Sequence, residues 1–198
     1  MFLSMIESFF LVQYDLFENL YVCEHPPVIN VGSTAIRWNK NLPPIPVIRL
    51  DFSELTSNKG PEVLRKELIQ TLKLIGDEIY GITLKCDTVK SVTRELITRL
   101  ANHDKNEYEQ VLVNKYDLPI LSVYNATKES LTIANENHEI LKGFFEVIKA
   151  LQTKVKFLFV TGITIFAQFG LFLGANNLED VTISSDLSGY MDSWRMRY

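Results

Sequence analysis

Apolar residues recur every three or four positions in four stretches of the chain, which is the spacing of one buried face of a helix. The helices predicted in this way cover residues 1–12, 61–81, 87–100 and 138–153. Pro61 suits a first helical turn, Gly81 suits a helix end, and Asp87 is predicted as the N-cap of the third helix. Residues 128–137, just before the fourth helix, are predicted to form a mobile polar segment.

Three shorter apolar runs lack the helical period, which is typical of strands. They lie at residues 45–52, 110–113 and 157–160. Because these runs alternate with the helical stretches, the pattern predicts an α/β fold in which helices flank a parallel sheet. Residues 14–42 are predicted to be connecting structure that contains one short aromatic-rich helix.

The second of these runs ends abruptly in polar residues, among them Asn114, Lys115 and Asp117. A buried parallel strand with this ending delivers its last side chains to the carboxyl edge of a sheet. Open α/β folds bind ligands at that edge. The sequence therefore predicts a candidate ligand site around these three residues. Asp51, which lies near the end of the first run, is predicted instead to cap a loop.

Residues 157–175 form the most ambiguous part of the sequence, because they are 19 residues without a charge. That length is nearly sufficient for a helix to span a bilayer. Glycine, threonine and glutamine interrupt the segment, however, and aromatic or basic anchors are not clustered at both ends. The favoured interpretation is a buried strand at 157–160 with a polar tip at Thr161 and Gly162.

Composition and charge narrow the function classes. The net charge of −4 and the isoelectric point near 5.5 argue against a nucleic-acid surface, which usually needs a basic face. Two cysteines and three isolated histidines predict neither a disulfide framework nor a zinc site. The amino terminus lacks the basic region of a secretory signal. We therefore expect a cytoplasmic protein that binds neither nucleic acid nor membrane.

Several motifs resemble those of the AAA-ATPase-like family, and they occur in the family's order. Tyr116, Asp117, Pro119 and Ile120 fit its Walker B strand, which reads as apolar residues, Asp-Glu-Tyr-Asp, an apolar residue, then Pro and Ile or Leu. The further matches are Phe2-Leu3-Ser4-Met5-Ile6-Glu7-Ser8-Phe9-Phe10, Leu141-Lys142-Gly143-Phe144-Phe145, and Thr161, Gly162, Ile163, Thr164, Asn176, Asn177 and Leu178. The resemblance implies a P-loop type of α/β fold, with ATP and magnesium as the family's cofactors.

The chain also departs from the family pattern. Asn114 and Lys115 stand where the family has its Asp-Glu pair, and none of the nine glycines begins a Gly-Lys-Ser or Gly-Lys-Thr motif. The family's aspartate holds hydrated magnesium and its glutamate orients the attacking water, roles that asparagine and protonated lysine cannot fill. We therefore expect an amino-terminally truncated, degenerate member with no intact metal site, no ATP hydrolysis, and weak or absent nucleotide binding.

The resemblance implies three further features. The residues expected near a nucleotide are Thr161, Gly162, Thr164, Asn176 and Asn177. In this type of fold the strand before the phosphate-binding loop lies beside the strand at 157–160, so its absence would leave an edge that another chain could cover. The AAA-ATPase-like domain is expected to span residues 1–186, followed by a divergent tail at 187–198.

Two alternatives to a degenerate ATPase-like domain remain at this point. One is an active ATPase whose gene has been read incompletely, with the phosphate-binding loop encoded upstream of Met1. The other is a membrane-anchored interaction protein that uses residues 157–175 as its anchor.

Overall fold

The structure is a computed structural model that describes residues 2–31, 34–55, 59–103, 109–124 and 127–162. The chain divides into two compact units, one formed by residues 1–45 with 175–198 and the other by residues 46–174. The predicted domain boundary at residue 186 lies outside the described residues.

The first unit combines short helices with a two-stranded antiparallel hairpin. Its elements are α1 (Phe2–Phe10), a 3-10 turn (Tyr14–Phe17), α2 (Tyr21–Glu24), β1 (Val28–Val31) and β2 (Thr34–Arg37). Trp38 is buried at the centre of this unit, where it stacks on Phe9 at a ring distance of 4.6 Å and packs edge-on against Phe17. The helix predicted at the amino terminus is confirmed. The hairpin was not predicted, because strands of four residues are too short to show a clear period of two.

The second unit is built on a parallel sheet whose strand order is β3-β4-β5. Its elements are β3 (Val47–Asp51), a 3-10 turn (Phe52–Glu54), α3 (Pro61–Leu74), a π-turn (Ile75–Ile79), α4 (Val89–His103), β4 (Glu109–Asn114), α5 (Leu118–Leu121), α6 (Lys128–Ala150) and β5 (Val155–Val160). All three predicted strands are present, and the α/β class is confirmed.

The main core lies on one face of this sheet. In-register residues Leu50, Val113 and Val160 point to that face and pack with apolar residues of α3, α4 and α6. The central strand β4 is buried because it has a neighbour on each side. The strand predicted at 157–160 is present, but its side chains are only partly buried: Leu158 and Val160 pack against the main core, whereas Phe157 is 37% exposed.

Helix α6 begins at Lys128, so the mobile polar segment predicted at 128–137 is wrong. The Thr127 hydroxyl caps the helix by accepting a hydrogen bond from the Ser130 amide at 3.2 Å. Only a few of these residues are buried, among them Asn137, which donates to the Pro119 carbonyl at 2.7 Å. Because this part of the helix has so few buried apolar residues, its sequence shows little of the apolar period that predicts a helix.

The other helix ends differ from the sequence predictions by small amounts. The helix that starts at Pro61 continues through the π-turn and terminates at Gly81, whose φ of 65° favours glycine, as predicted. Thr88 rather than Asp87 caps α4, because its hydroxyl accepts from the Ser91 amide at 3.2 Å. Asp87 instead forms a 2.7 Å ion pair with Lys73.

Within the described ranges, the structure contains no helix that is both long and apolar enough to cross a membrane. The uncharged segment 157–175 begins in strand β5, which pairs with β4, and its residues from 163 onward lie outside the described ranges.

The Tyr80 hydroxyl covers one position on the outer edge of β3 in the described sheet. The Val47 amide donates to the Tyr80 hydroxyl at 2.7 Å, and that hydroxyl donates to the Val47 carbonyl at 2.7 Å. One phenol thus satisfies both backbone groups of Val47 at the outer edge of the described sheet, a place where strands otherwise invite pairing with other chains.

We expect Tyr80→Phe to lower the free energy of unfolding by about 1–2 kcal/mol, because both hydrogen bonds to Val47 are lost while the ring is kept. Tyr124→Phe is the matched control, since Tyr124 is 60% exposed and its hydroxyl loss should change little. Urea unfolding of both variants measures the difference. Equal stability of the two variants would contradict this role for Tyr80.

Candidate functional site

Three polar side chains meet at the carboxyl edge of the parallel sheet. Asp51 ends β3, Asn114 ends β4, and Thr161 follows directly after β5. Asp51 pairs with Asn114 in the sheet register, and Thr161 comes next after the pair formed by Val113 and Val160. We refer to Asp51, Asn114 and Thr161 as the rim cluster. Its position is that at which open α/β sheets hold ligands.

The rim cluster is a continuous chain of hydrogen bonds across the three strand ends. The Asn114 amide nitrogen donates to Asp51 Oδ2 at 2.8 Å, and the Thr161 hydroxyl donates to Asn114 Oδ1 at 2.7 Å. Both polar atoms of the Asn114 side chain are therefore engaged with neighbouring strands. An amide fits this position because it donates on one side and accepts on the other.

Asp51 carries the negative charge of the rim cluster. Its Oδ1 accepts a hydrogen bond from the Ser53 amide at 2.9 Å and another from the Ser53 hydroxyl. Burial is the largest single influence on its pKa and raises it, but donors from Ser53 and Asn114 and the positive charge of Lys115 together hold the pKa of Asp51 below its ordinary value. Asp51 is therefore an ionised carboxylate at neutral pH.

Lys115 is the first residue beyond β4 and lies exposed beside the rim cluster. Its φ of 54° is in the left-handed region, which is uncommon for a residue with a Cβ. Its amide donates to Thr161 Oγ1 at 3.4 Å, and its carbonyl accepts from the Leu118 amide at 3.0 Å. These bonds hold the sharp turn by which the chain passes from β4 into α5.

Tyr116 and Asp117 lie beneath this edge rather than on it. Both residues are almost completely buried. The Tyr116 amide donates to the Thr161 carbonyl at 3.0 Å, and the Asp117 carbonyl accepts from Ile120 and Leu121 at the start of α5. The Asp117 backbone therefore supports the turn into α5, and its carboxyl group is buried beside Gly162.

Gly162 follows Thr161 and lies so close to the buried residues Tyr116 and Asp117 that this position requires a glycine. A Cβ at position 162 would lie 2.3 Å from Tyr116 Cε1 and 2.9 Å from Asp117 Oδ1. Only glycine allows the chain after β5 to pass this close to the tyrosine ring.

The structure thus brings together five of the residues that the sequence analysis singled out, namely Asn114, Lys115, Asp117, Thr161 and Gly162, and of these Asp117 is fully buried. Thr164, Asn176 and Asn177 lie outside the described residues. Asp51 has two roles, since it caps a turn as predicted and also joins the rim cluster. The second role was missed, although an acidic residue at the end of a neighbouring parallel strand was a signal for it.

The donor set of the rim does not fit a hydrated magnesium ion. Magnesium prefers carboxylate oxygens, but Asn114 is neutral and both oxygens of Asp51 already accept hydrogen bonds. The Lys115 charge next to them would repel a divalent cation. Within the part of the chain that the structure describes, no three His, Cys, Asp or Glu side chains come together as metal ligands.

The second unit, with a parallel sheet, helices against one face and a polar cluster at its carboxyl edge, defines an α/β protein whose candidate ligand site is at strand ends. The family comparison is more specific. The family described as "Predicted AAA-ATPase" matches residues 1–172, and the chain belongs to this family.

One curated relative is described as "Uncharacterized protein in vnfD 5'region" from Azotobacter chroococcum mcd 1. It is 32% identical over 151 residues, which cover 75% of this chain and 28% of the relative. The chain thus spans little more than a quarter of that relative's length. No solved structure gives a significant match.

We expect Gly162→Ala to lower the free energy of unfolding by more than about 2 kcal/mol, because the buried Tyr116 ring cannot move away from a new methyl group. Gly143→Ala is the matched comparison. Its Cβ would approach the flexible Lys90 stem, which can move, so we expect a change below about 1 kcal/mol. Thermal or urea unfolding of both variants decides this, and an equal cost would be inconsistent with close packing at Gly162.

We expect Asn114→Asp to lower the free energy of unfolding at pH 7 by about 1–3 kcal/mol, because a second carboxylate would face Asp51 where an N–H now donates. Two such carboxylates share a proton, so their pKa in the folded state is raised, and the loss should shrink as the pH falls towards about 4. In the wild-type protein, the contribution of Asp51 to the free energy of unfolding has the opposite dependence on pH. Because its pKa is lower in the folded state, the ionised Asp51 carboxylate stabilises the fold at a pH above the ordinary pKa of aspartate. This stabilisation is lost as the pH falls through the pKa of the folded state.

Unfolding curves between neutral and acid pH test this prediction. Asn135→Asp is the control, since Asn135 is exposed on α6 and faces no partner strand. A loss at position 114 that does not vary with pH would argue against a shared proton.

Proposed function

We propose that this chain is an AAA-ATPase-like domain that does not hydrolyse ATP. The observation that carries the proposal is the state of Asn114, whose amide nitrogen and oxygen are both occupied by Asp51 and Thr161. The family resemblance places the magnesium-holding aspartate of a P-loop ATPase at this position. A neutral side chain tied to both neighbouring strands cannot take over that task.

Lys115 supports the same proposal at the next position. A general base must be able to accept a proton, and a protonated lysine cannot. Its charge would also oppose a metal ion that binds nearby. Asp117, the third Walker B position of the resemblance, is buried at the start of α5 and helps to form the turn. In this proposal the domain serves as a scaffold or a weak nucleotide binder.

The edge of β5 adds a role for a partner. In the described ranges no strand pairs with the outer side of β5, although Phe157 and Phe159 stack on one face of it. We propose that a further strand completes the sheet there, from another part of the protein or from another chain, because an open apolar edge invites pairing.

A second candidate is an active ATPase of which this chain is one portion, with a phosphate-binding loop outside it. The observation in its favour is the curated relative, of which the matched part is only 28%. Other residues would then still have to hold the metal ion and orient the water, the two tasks that the resemblance assigns to positions 114 and 115.

We expect purified protein to release no phosphate from magnesium-ATP above the rate of a buffer blank, because neither the metal-holding carboxylate nor the water-orienting one is present. A phosphate-release assay measures this, with Asp117→Asn as the parallel sample. Turnover by the wild type that Asp117→Asn abolishes while keeping a cooperative unfolding transition would refute the proposal.

A further inference from the structure

We propose that a groove between α3, α4 and α6 binds a short arginine-containing segment of a partner protein. The groove has a volume of about 780 Å³ and is lined by residues of these three helices and of the turn before α4. Asp51, Asn114 and Thr161 do not line it, so the groove is separate from the rim cluster. The inference goes beyond the proposed function and holds whether or not the chain hydrolyses ATP.

One face of α6 forms the long wall of the groove. Thr132, Glu136, Glu139 and Gly143 recur along this face at the spacing of three or four positions that brings side chains into one line. At a rise of about 1.5 Å per residue the wall is about 16 Å long, which matches about five residues of extended chain. The beginnings of α3 and α4 form the opposite wall, so the groove has room for a peptide segment.

Two carboxylates on α6 make this wall negative. Glu136 is exposed, and no hydrogen bond or ion pair engages its carboxylate within the described residues. The Glu139 side chain is 66% exposed, and its neighbours are His138 at 3.3 Å and Lys142 at 3.7 Å on the same helix. Exposed pairs of this kind are weak. Both carboxylates can therefore receive a cation from outside.

The two cationic residues that line the groove do not neutralise this wall. Arg65 forms an ion pair with Glu62 at 3.5 Å, so the charges of these two residues cancel. The Lys90 stem lies against Gly143, and its ammonium reaches Glu146 at 2.7 Å, outside the lining. A ligand that enters the groove thus meets the negative charge of α6, and this charge selects a cationic partner.

The base of the groove suits the stem of an arginine. Val89 and Ile140 are 7% and 8% exposed and supply apolar surface there. Long basic side chains lay their methylene stems on such surface and keep the charged end in contact with polar groups. Arginine fits better than lysine, because its planar guanidinium donates to two carboxylate oxygens at once. The exposed Asn135 amide offers a donor and an acceptor to the peptide backbone.

The test measures the affinity of the purified full chain for fluorescent penta-arginine by anisotropy, at low and at moderate salt. We expect saturable binding that weakens as salt is added, because exposed ion pairs are screened. Penta-lysine should bind more weakly, since its ammonium groups cannot pair with both oxygens of a carboxylate. Penta-glutamate should not bind.

Glu136→Gln combined with Glu139→Gln should weaken binding of penta-arginine about fivefold or more, because two ion pairs are lost while the side-chain volume is kept. Glu78→Gln combined with Glu129→Gln is the matched control. These two glutamates are also exposed and lie outside the groove, so the control makes the same change in net charge.

A second pair of variants has the opposite expected sign. Arg65→Gln should strengthen binding about twofold or more, because it removes a like charge from the wall that faces the peptide. Lys66→Gln is its control, since Lys66 is exposed next to Arg65 and does not line the groove. A gain in affinity cannot come from loss of the fold, so this pair separates binding from stability.

Four results would overturn the proposal. They are no saturable binding of penta-arginine, equal weakening by the two double variants, equal effects of the changes at positions 65 and 66, and binding of penta-lysine as tight as that of penta-arginine. The second and third results would indicate attraction to the net charge of the chain instead of to the groove. The last would remove the preference for arginine.

Discussion

The parallel register of β3, β4 and β5 is the constraint on which the candidate site depends. Because Asp51 pairs with Asn114, and Val113 with Val160, the polar residues Asp51, Asn114 and Thr161 lie at the same level across the three strand ends. The same register puts Leu50, Val113 and Val160 on the face that packs against the helices. A shift by one residue would turn every side chain of a strand to the other face, so core packing and site geometry are set together.

The contacts around Tyr116 fix the second half of the site. Its amide bonds to the Thr161 carbonyl, and its ring lies against Gly162. The turn after the central strand is thereby fastened to the chain that leaves β5, and Lys115 is held in a left-handed conformation between them. The packing of the buried Tyr116 residue thus determines where the exposed Lys115 residue lies at the rim.

Family membership and local chemistry answer different questions here. The match over residues 1–172 establishes the family, and the α/β sheet agrees with it. Function depends on particular groups at the site. Asparagine has an amide group where aspartate has a carboxylate, and it fits the same space. It carries no negative charge, however, and its nitrogen is a hydrogen-bond donor. At the end of β4 that donor is bound to Asp51, so in this chain the position that the resemblance assigns to a metal links two strands.

The sequence alone determined the features that depend on local periodicity and on residue type. It predicted the three strands of the sheet, the helix from Pro61 to Gly81 and the polar end of the central strand, because apolar spacing reports which face is buried. Through the family resemblance it also predicted that Asn114 and Lys115 stand where the family has the carboxylates of a magnesium site. It missed the start of α6 at Lys128, since a helix with a mostly exposed first half has little apolar period. Only the tertiary structure decided that Asp51 joins Asn114, that Asp117 is buried and that Gly162 touches Tyr116, because these residues are far apart in sequence or face directions that pattern does not encode.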